Sequence, residues 1–164
     1  MSLIESLQDD VKTAMRDGDT LKRDTLRMVL ASAQNLAKDK RAPLTDQEAI
    51  DVLTREVKKR RESIAAYTDA GRDDLAAQEQ AEIDVLTPYL PEQLSDDEVR
   101  ALVVKAVADS GATSARDMGK VMSLLMPTVK GKADGKVVSG LVAQELARVD
   151  LAGHDGDDHT AVEA

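Results

Sequence analysis

The chain has 164 residues, a formal net charge of −9 and an aromatic content of only 1%, so aliphatic side chains and methionine must fill any core. We find no alternating run of β-branched and aromatic residues long enough for a sheet. The absence of cysteine excludes disulfides, thiolate metal sites and thiol nucleophiles. We therefore expect an all-α fold in a reducing compartment.

The N-terminus does not resemble a targeting segment. Its first residues, Met1 to Glu5, reach an acidic side chain at once and lack the basic and apolar regions of a signal peptide. No apolar run approaches the roughly 20 residues that a membrane span needs. These features predict a cytoplasmic protein that has no membrane partner.

Residues that cap helices predict where the helices begin. Four of them are followed three positions later by an acidic residue: Ser2 with Glu5, Thr45 with Glu48, Ser95 with Glu98 and Ser114 with Asp117. Two further helices should begin at Asp19 or Thr20 and at a capping Asp73. Gly18 and Gly71 are expected ends, which makes the third helix about 25 residues long.

A proline-containing segment divides the chain. Pro88 and Pro91 forbid a continuous helix, and the charge balance changes after them. Residues 1–94 carry 14 basic and 19 acidic side chains, whereas residues 95–149 carry 8 and 7. We predict an N-terminal helical domain containing the long helix at residues 1–90, a smaller C-terminal helical domain at residues 91–149 and a disordered acidic tail at residues 150–164.

The sequence offers no candidate catalytic residue. A nucleophilic hydrolase would need a histidine base near a serine or threonine, but His154 and His159 both fall in the predicted tail. Asp155 and the aspartates near His159 could bind a metal only weakly, because no second helix would fix their geometry. We expect no metal and no cofactor.

Two patterns have both a functional and a structural interpretation. The basic run from Lys58 to Arg61 could contact phosphates, but four consecutive helical residues spread around the axis, and Glu56 is spaced to form an ordinary ion pair with Arg60. The methionines Met118, Met122 and Met126, on a helix expected to stop at Pro127, could form a partner-binding face. A helical methionine stripe is more often core filling.

The loop from Val129 to Lys136 is the most informative segment. Its glycines relieve steric limits on the backbone, Asp134 can cap the helix that follows, and three lysines lie near the positive end of that helix. It lacks the spacing and the preceding strand of a Walker A loop. On these residues alone, a phosphate-binding loop and a plain solvated turn both remain open.

At this point the sequence resembles the YqeY-like family, whose GatB/YqeY-type C-terminal domain is similar to the tail of the B subunit of the glutamine-dependent aspartyl/glutamyl-tRNA amidotransferase. The resemblance rests on Arg27-Met28-Val29-Leu30, on Glu79 to Leu94 with its Leu90-Pro91-Glu92-Gln93-Leu94 segment, and on Asp117-Met118-Gly119-Lys120-Val121-Met122 followed by Lys130-Gly131-Lys132-Ala133-Asp134-Gly135. It implies an N-terminal helical domain and a smaller helical domain after it.

The resemblance also implies a role close to tRNA, because the amidotransferase tail is associated with holding tRNA. It identifies as RNA-binding candidates Lys120, Lys130, Lys132, Lys136, Gly119, Gly131 and Gly135. The leading interpretation is a non-catalytic, translation-associated module that binds tRNA or a tRNA-handling protein complex, and not DNA. The alternatives are a carbon–nitrogen ligase component that uses glutamine as amide donor, which only the resemblance suggests, and a protein-binding adaptor.

Overall fold

The structure, a computed structural model, describes the backbone of residues 1–155 and the side chains of residues 1–153. Within residues 1–155 all regular structure is helical, which confirms the all-α prediction. The seven α-helices of that range are α1 (Leu3–Asp17), α2 (Thr20–Lys40), α3 (Asp46–Asp69), α4 (Asp73–Leu86), α5 (Asp96–Ser110), α6 (Met118–Val129) and α7 (Gly135–Asp155). No helix in this range is long and apolar enough to cross a bilayer.

Two compact units make up the chain, Met1–Pro91 and Glu92–Ala164. The first contains α1 to α4, which bury an aliphatic core between them. Its fully buried members come from all four helices: Leu7, Leu26, Val29, Leu53 and Leu86. A 3-10 turn at Thr87–Tyr89 follows α4, and the Tyr89 hydroxyl donates a hydrogen bond of 2.5 Å to Asp10 in α1.

The second unit packs α5, α6 and α7 around a core dominated by valine. Residues buried there include Val99, Val103, Val121, Leu125, Val138, Val142 and Leu146. Met118 and Met122 pack against this core, whereas Met126 is more than a third exposed. Two of the three stripe methionines therefore serve mainly as core filling.

The capping predictions are mostly confirmed. Ser2, Thr45 and Ser95 each accept a hydrogen bond at the start of a helix and form complete capping boxes, and Asp19 caps α2. The prediction that Asp73 caps α4 is wrong. Asp73 is the first helical residue, and the capping position holds Arg72, which makes no side-chain cap hydrogen bond.

Helix α6 both starts and ends later than the sequence predicts. Ser114 begins a 3-10 turn at Ala115–Asp117 instead of α6 itself. Pro127 does not stop α6, because Lys130 N–H still bonds to the Met126 carbonyl at 2.9 Å and Val129 is buried in the core.

The last helix also corrects the predicted tail. Helix α7 continues through residues 150–155. Val149, just before them, packs against the core of this unit. The rest of the predicted tail, with His159, lies outside the described residues.

Candidate nucleic-acid interface

The loop between α6 and α7 is tightly folded onto itself. The N–H groups of Lys132 and Ala133 both donate to the carbonyl of Val129, at 2.9 and 3.1 Å. Gly131 adopts φ +75°, a left-handed conformation that disfavours side chains with a Cβ. A glycine is therefore favoured at this turn for backbone reasons, whatever binds nearby.

Two residues of the Leu90-to-Leu94 segment hold the loop from outside. The Gln93 side-chain amide donates to the carbonyl of Gly131 at 2.9 Å, and Leu94 N–H donates to the carbonyl of Lys132 at 2.8 Å. These bonds fix successive peptide groups of the loop. Gln93 and Leu94 thus join the glycine loop to a second stretch that the family resemblance includes.

Asp134 caps α7, as predicted. Its carboxylate accepts from Lys136 N–H at 2.9 Å, and its carbonyl accepts from Val138 N–H at 3.0 Å. A carboxylate therefore already lies at the positive end of α7, where a phosphate would otherwise be favoured. Any phosphate at this loop must be held chiefly by the lysine ammonium groups, and less by the helix N-terminus.

The four candidate lysines do not converge on one point. Lys130 and Lys136 are exposed and Lys132 is half-buried, all within the loop region. Lys120 is exposed near the start of α6, and the ten residues from it to Lys130 correspond to about 15 Å along a helix axis. A single phosphate cannot contact both ends, but a polynucleotide backbone can.

Lys120 lies near the carboxylate of Asp117, which the fold stabilises in its ionised form. Asp117 accepts a hydrogen bond of 2.9 Å from Thr113 N–H. This bond holds the pKa of Asp117 below its ordinary value, and the charge of Lys120 acts in the same direction. Asp117 is therefore ionised at neutral pH and partly offsets the positive potential at this end of α6.

Two of the candidate glycines have no packing role. A Cβ built on Gly119 or Gly135 would meet no atom within 4 Å, and both residues are exposed. Neither glycine is explained by contacts within the chain, which leaves space for a partner's backbone to approach. Gly131 differs, because its conformation already accounts for it.

The basic run of α3 has a structural role at Arg60. This side chain is only 5% exposed, and it bonds to Glu56 at 2.8 Å and to Glu82 of α4 at 2.9 Å. Ser32 of α2 donates to the same Glu56 at 2.9 Å. The predicted Glu56–Arg60 pair is thus confirmed, but it is buried and links three helices.

Sequence reasoning assigned no role to Gln93, although this residue lies in the Leu90-to-Leu94 segment of the family resemblance. Gln93 lies 38 positions before its partner Gly131, so only the folded chain brings them together. Leu124 is 52% exposed on α6, beside the buried Leu125. No cluster of side chains in residues 1–153 is suited to hold a metal ion.

Comparison with known proteins identifies the family to which this sequence is similar. The family model described as Yqey-like protein matches residues 4–146. Curated relatives named Altered inheritance of mitochondria protein 41, mitochondrial, include one from Pyrenophora tritici-repentis that is 31% identical over 140 residues, covering 84% of this chain and 77% of that protein. The one from Kluyveromyces lactis is 32% identical over 141 residues, covering 84% and 72%.

These relatives correct one expectation. Their names place them in mitochondria, which contradicts the cytoplasmic location expected from the N-terminal residues. Five N-terminal residues were too little to assign a compartment, because they test only for a secretory signal. The extent of the family match leaves no ambiguity about kinship, and the chain belongs to the Yqey-like protein family.

Proposed function

We propose that this protein is a non-catalytic accessory module of translation that binds tRNA through its second unit. The observation that carries the proposal is the charge of residues 117–149, which contain five basic residues and three acidic ones, Asp117, Asp134 and Glu145, in a chain of net charge −9. Four of the five basic residues are the candidate lysines of α6 and its loop. Phosphate neutralisation supplies most of the affinity of nonspecific nucleic-acid binding.

The folding of the loop supports this role. Gln93 and Leu94 hold the peptide groups of Gly131 and Lys132, so the lysines extend from a backbone that is already ordered. A preorganised loop loses less conformational entropy on binding than a mobile one. Contacts spread over about 15 Å suit the backbone of an RNA better than a single small anion.

The test is tRNA binding by the intact protein and by Lys130→Ala/Lys132→Ala, measured by fluorescence anisotropy. Because the relatives are named as mitochondrial, tRNA prepared from mitochondria is the first probe. The matched control is Lys12→Ala/Lys38→Ala, which removes two exposed lysines from the first unit. We expect the loop variant to bind about tenfold more weakly and the control to bind like wild type. Equal affinities for all three proteins would refute the role of the loop.

A further inference from the structure

The outward face of α6 carries a row of side chains that runs between two of the candidate lysines. The members of the row, all of them exposed, are Lys120, Ser123, Pro127 and Lys130. At about 100° per residue, they fall within an arc of about 80° around the helix axis, opposite the buried face of α6. Lys130 follows the helix because its φ is −57° and its N–H bonds to the Met126 carbonyl.

Between the two lysines, α6 has a backbone carbonyl without a helical donor. In a regular helix the Ser123 carbonyl would accept from the N–H group four residues later. That residue is Pro127, which lies inside the helix and has no N–H. Ser123 and Pro127 are both exposed, so water or a partner can supply the hydrogen bond that this carbonyl needs.

The hydroxyl of Ser123 is also left to accept. It donates its proton to the Gly119 carbonyl at 2.9 Å, so only the lone pairs of its oxygen remain for a partner. Gly119 has no side chain that could cover this group, and a Cβ built there would meet no atom within 4 Å. The carbonyl and the hydroxyl of Ser123 therefore offer a partner two acceptors and no donor.

Acceptors between cationic groups can distinguish RNA from DNA. Along the axis of α6, Ser123 is about 4.5 Å from the level of Lys120 and about 10.5 Å from that of Lys130, and both lysines attract phosphates. The sugar–phosphate backbone of DNA contains no hydrogen-bond donor, whereas each nucleotide of RNA has one, the 2′-hydroxyl. A ribose held between two phosphates can therefore donate to Ser123, and a deoxyribose cannot.

We infer that Ser123 accepts a hydrogen bond from a ribose 2′-hydroxyl, so that the α6 surface binds RNA in preference to DNA. This inference rests on the proposed tRNA binding and adds to it the group by which the site distinguishes the two nucleic acids. The lysines supply affinity for either backbone, because both carry the same phosphates. Pro127 contributes to specificity because it leaves the Ser123 carbonyl without a helical donor.

The experiment compares wild type, Pro127→Ala and Pro43→Ala, a matched control that changes an exposed proline of the first unit. Pro127→Ala introduces an N–H group that can bond to the Ser123 carbonyl. It should also raise the urea midpoint, because alanine suits a helix far better than proline, so weaker binding would not result from unfolding. Affinity is measured for a synthetic RNA of mitochondrial tRNA sequence and for DNA of the same sequence, at several salt concentrations.

We expect Pro127→Ala to bind the RNA about fivefold more weakly, which corresponds to the loss of one hydrogen bond, with DNA affinity and the salt slope unchanged. Pro43→Ala should bind both probes like wild type. Ser123→Ala, which removes only the hydroxyl, is a second variant and should lower the ratio of RNA to DNA affinity about twofold.

The outcomes separate this inference from the function on which it rests. An unchanged ratio in both Pro127→Ala and Ser123→Ala, with Lys130→Ala/Lys132→Ala still impaired, would overturn the inference and leave tRNA binding intact. An equal loss for RNA and DNA in Pro127→Ala would also overturn it, because contact with the proline ring would then explain the loss. Absence of tRNA binding by wild type would overturn both.

Discussion

Replacing Arg60 with methionine should destabilise the first unit strongly. Methionine keeps an apolar stem in the buried site but removes the hydrogen bonds to Glu56 and to Glu82. Removing one partner of a buried pair costs about 3–5 kcal/mol, mostly because the other charge stays buried without compensation. In the variant, the Ser32 hydroxyl and the Lys59 ammonium group still lie 2.9 and 3.6 Å from Glu56 Oε1. We therefore expect the free energy of unfolding to fall by about 3 kcal/mol, the lower end of this range.

Tyrosine fluorescence makes the assay specific to this unit. The only aromatic residues of the chain are Tyr67 and Tyr89, and both lie in Met1–Pro91. Urea unfolding followed by this signal therefore reports the unit that contains Arg60. The control Arg55→Met changes an exposed arginine on the same helix and should alter the free energy of unfolding by no more than about 0.5 kcal/mol.

The loss in Arg60→Met should depend on pH. In wild type, burial raises the pKa of Glu56, but hydrogen bonds from Arg60 and Ser32 lower it more, so the folded pKa lies below the ordinary value. Glu56 then stabilises the fold above its unfolded pKa of about 4.3, and this contribution is lost as the pH falls through the folded pKa. Without Arg60, burial shifts the pKa of Glu56 in the folded state upward. The cost of keeping Glu56 ionised in the folded state then grows as the pH rises through that pKa.

The difference between wild type and Arg60→Met should therefore be largest near pH 7 and shrink toward pH 4.5. A difference below about 1 kcal/mol at pH 7, or one that stays constant with pH, would refute the reasoning. Either result would mean that the Glu56 charge is not buried without compensation when Arg60 is absent.

Three further changes test other parts of the structure. Gln93→Ala removes the hydrogen bond to the Gly131 carbonyl and should speed amide hydrogen exchange in the loop while the helical circular dichroism stays unchanged; unchanged exchange would show that this bond does not order the loop. Gly119→Ala places a methyl group in open space and should raise the free energy of unfolding by about 0.5–1 kcal/mol; a decrease would mean that the glycine has a structural role. Tyr89→Phe removes the 2.5 Å hydrogen bond to Asp10 and should cost about 1–2 kcal/mol in urea unfolding, whereas no change would mean that water replaces it fully.

Local features of the fold were predictable because the physics that governs them is local. Each capping box needs only two residues three positions apart, and those at Ser2, Thr45 and Ser95 form as predicted. Asp73 failed for a local reason as well, because a good capping residue can instead occupy the first turn, where its charge is also favoured. Pro127 failed because burial of Val129 outweighed the preference of proline to end a helix.

Contacts between distant residues were beyond the reach of the sequence. The pairing of Arg60 with Glu56 follows from helical spacing, but Glu82, on the next helix, could not be assigned to the same cluster. Likewise, the loop with Gly131 was recognised from its composition, while its hydrogen bond to Gln93 required the packing of the second unit. The exposure of Leu124, in contrast, follows from helical spacing, because Val121, Leu125 and Val129 recur at intervals of four residues and leave Leu124 outside their buried face.

Photocrosslinking of tRNA to the intact protein, with the attachment sites mapped by mass spectrometry, tests the central claim most directly. It requires no substitution, so a folding defect cannot mislead it. The account predicts crosslinks concentrated in residues 118–136, the span of α6 and its glycine loop. Crosslinks confined to Met1–Pro91, or none at tRNA concentrations that saturate binding, would contradict it.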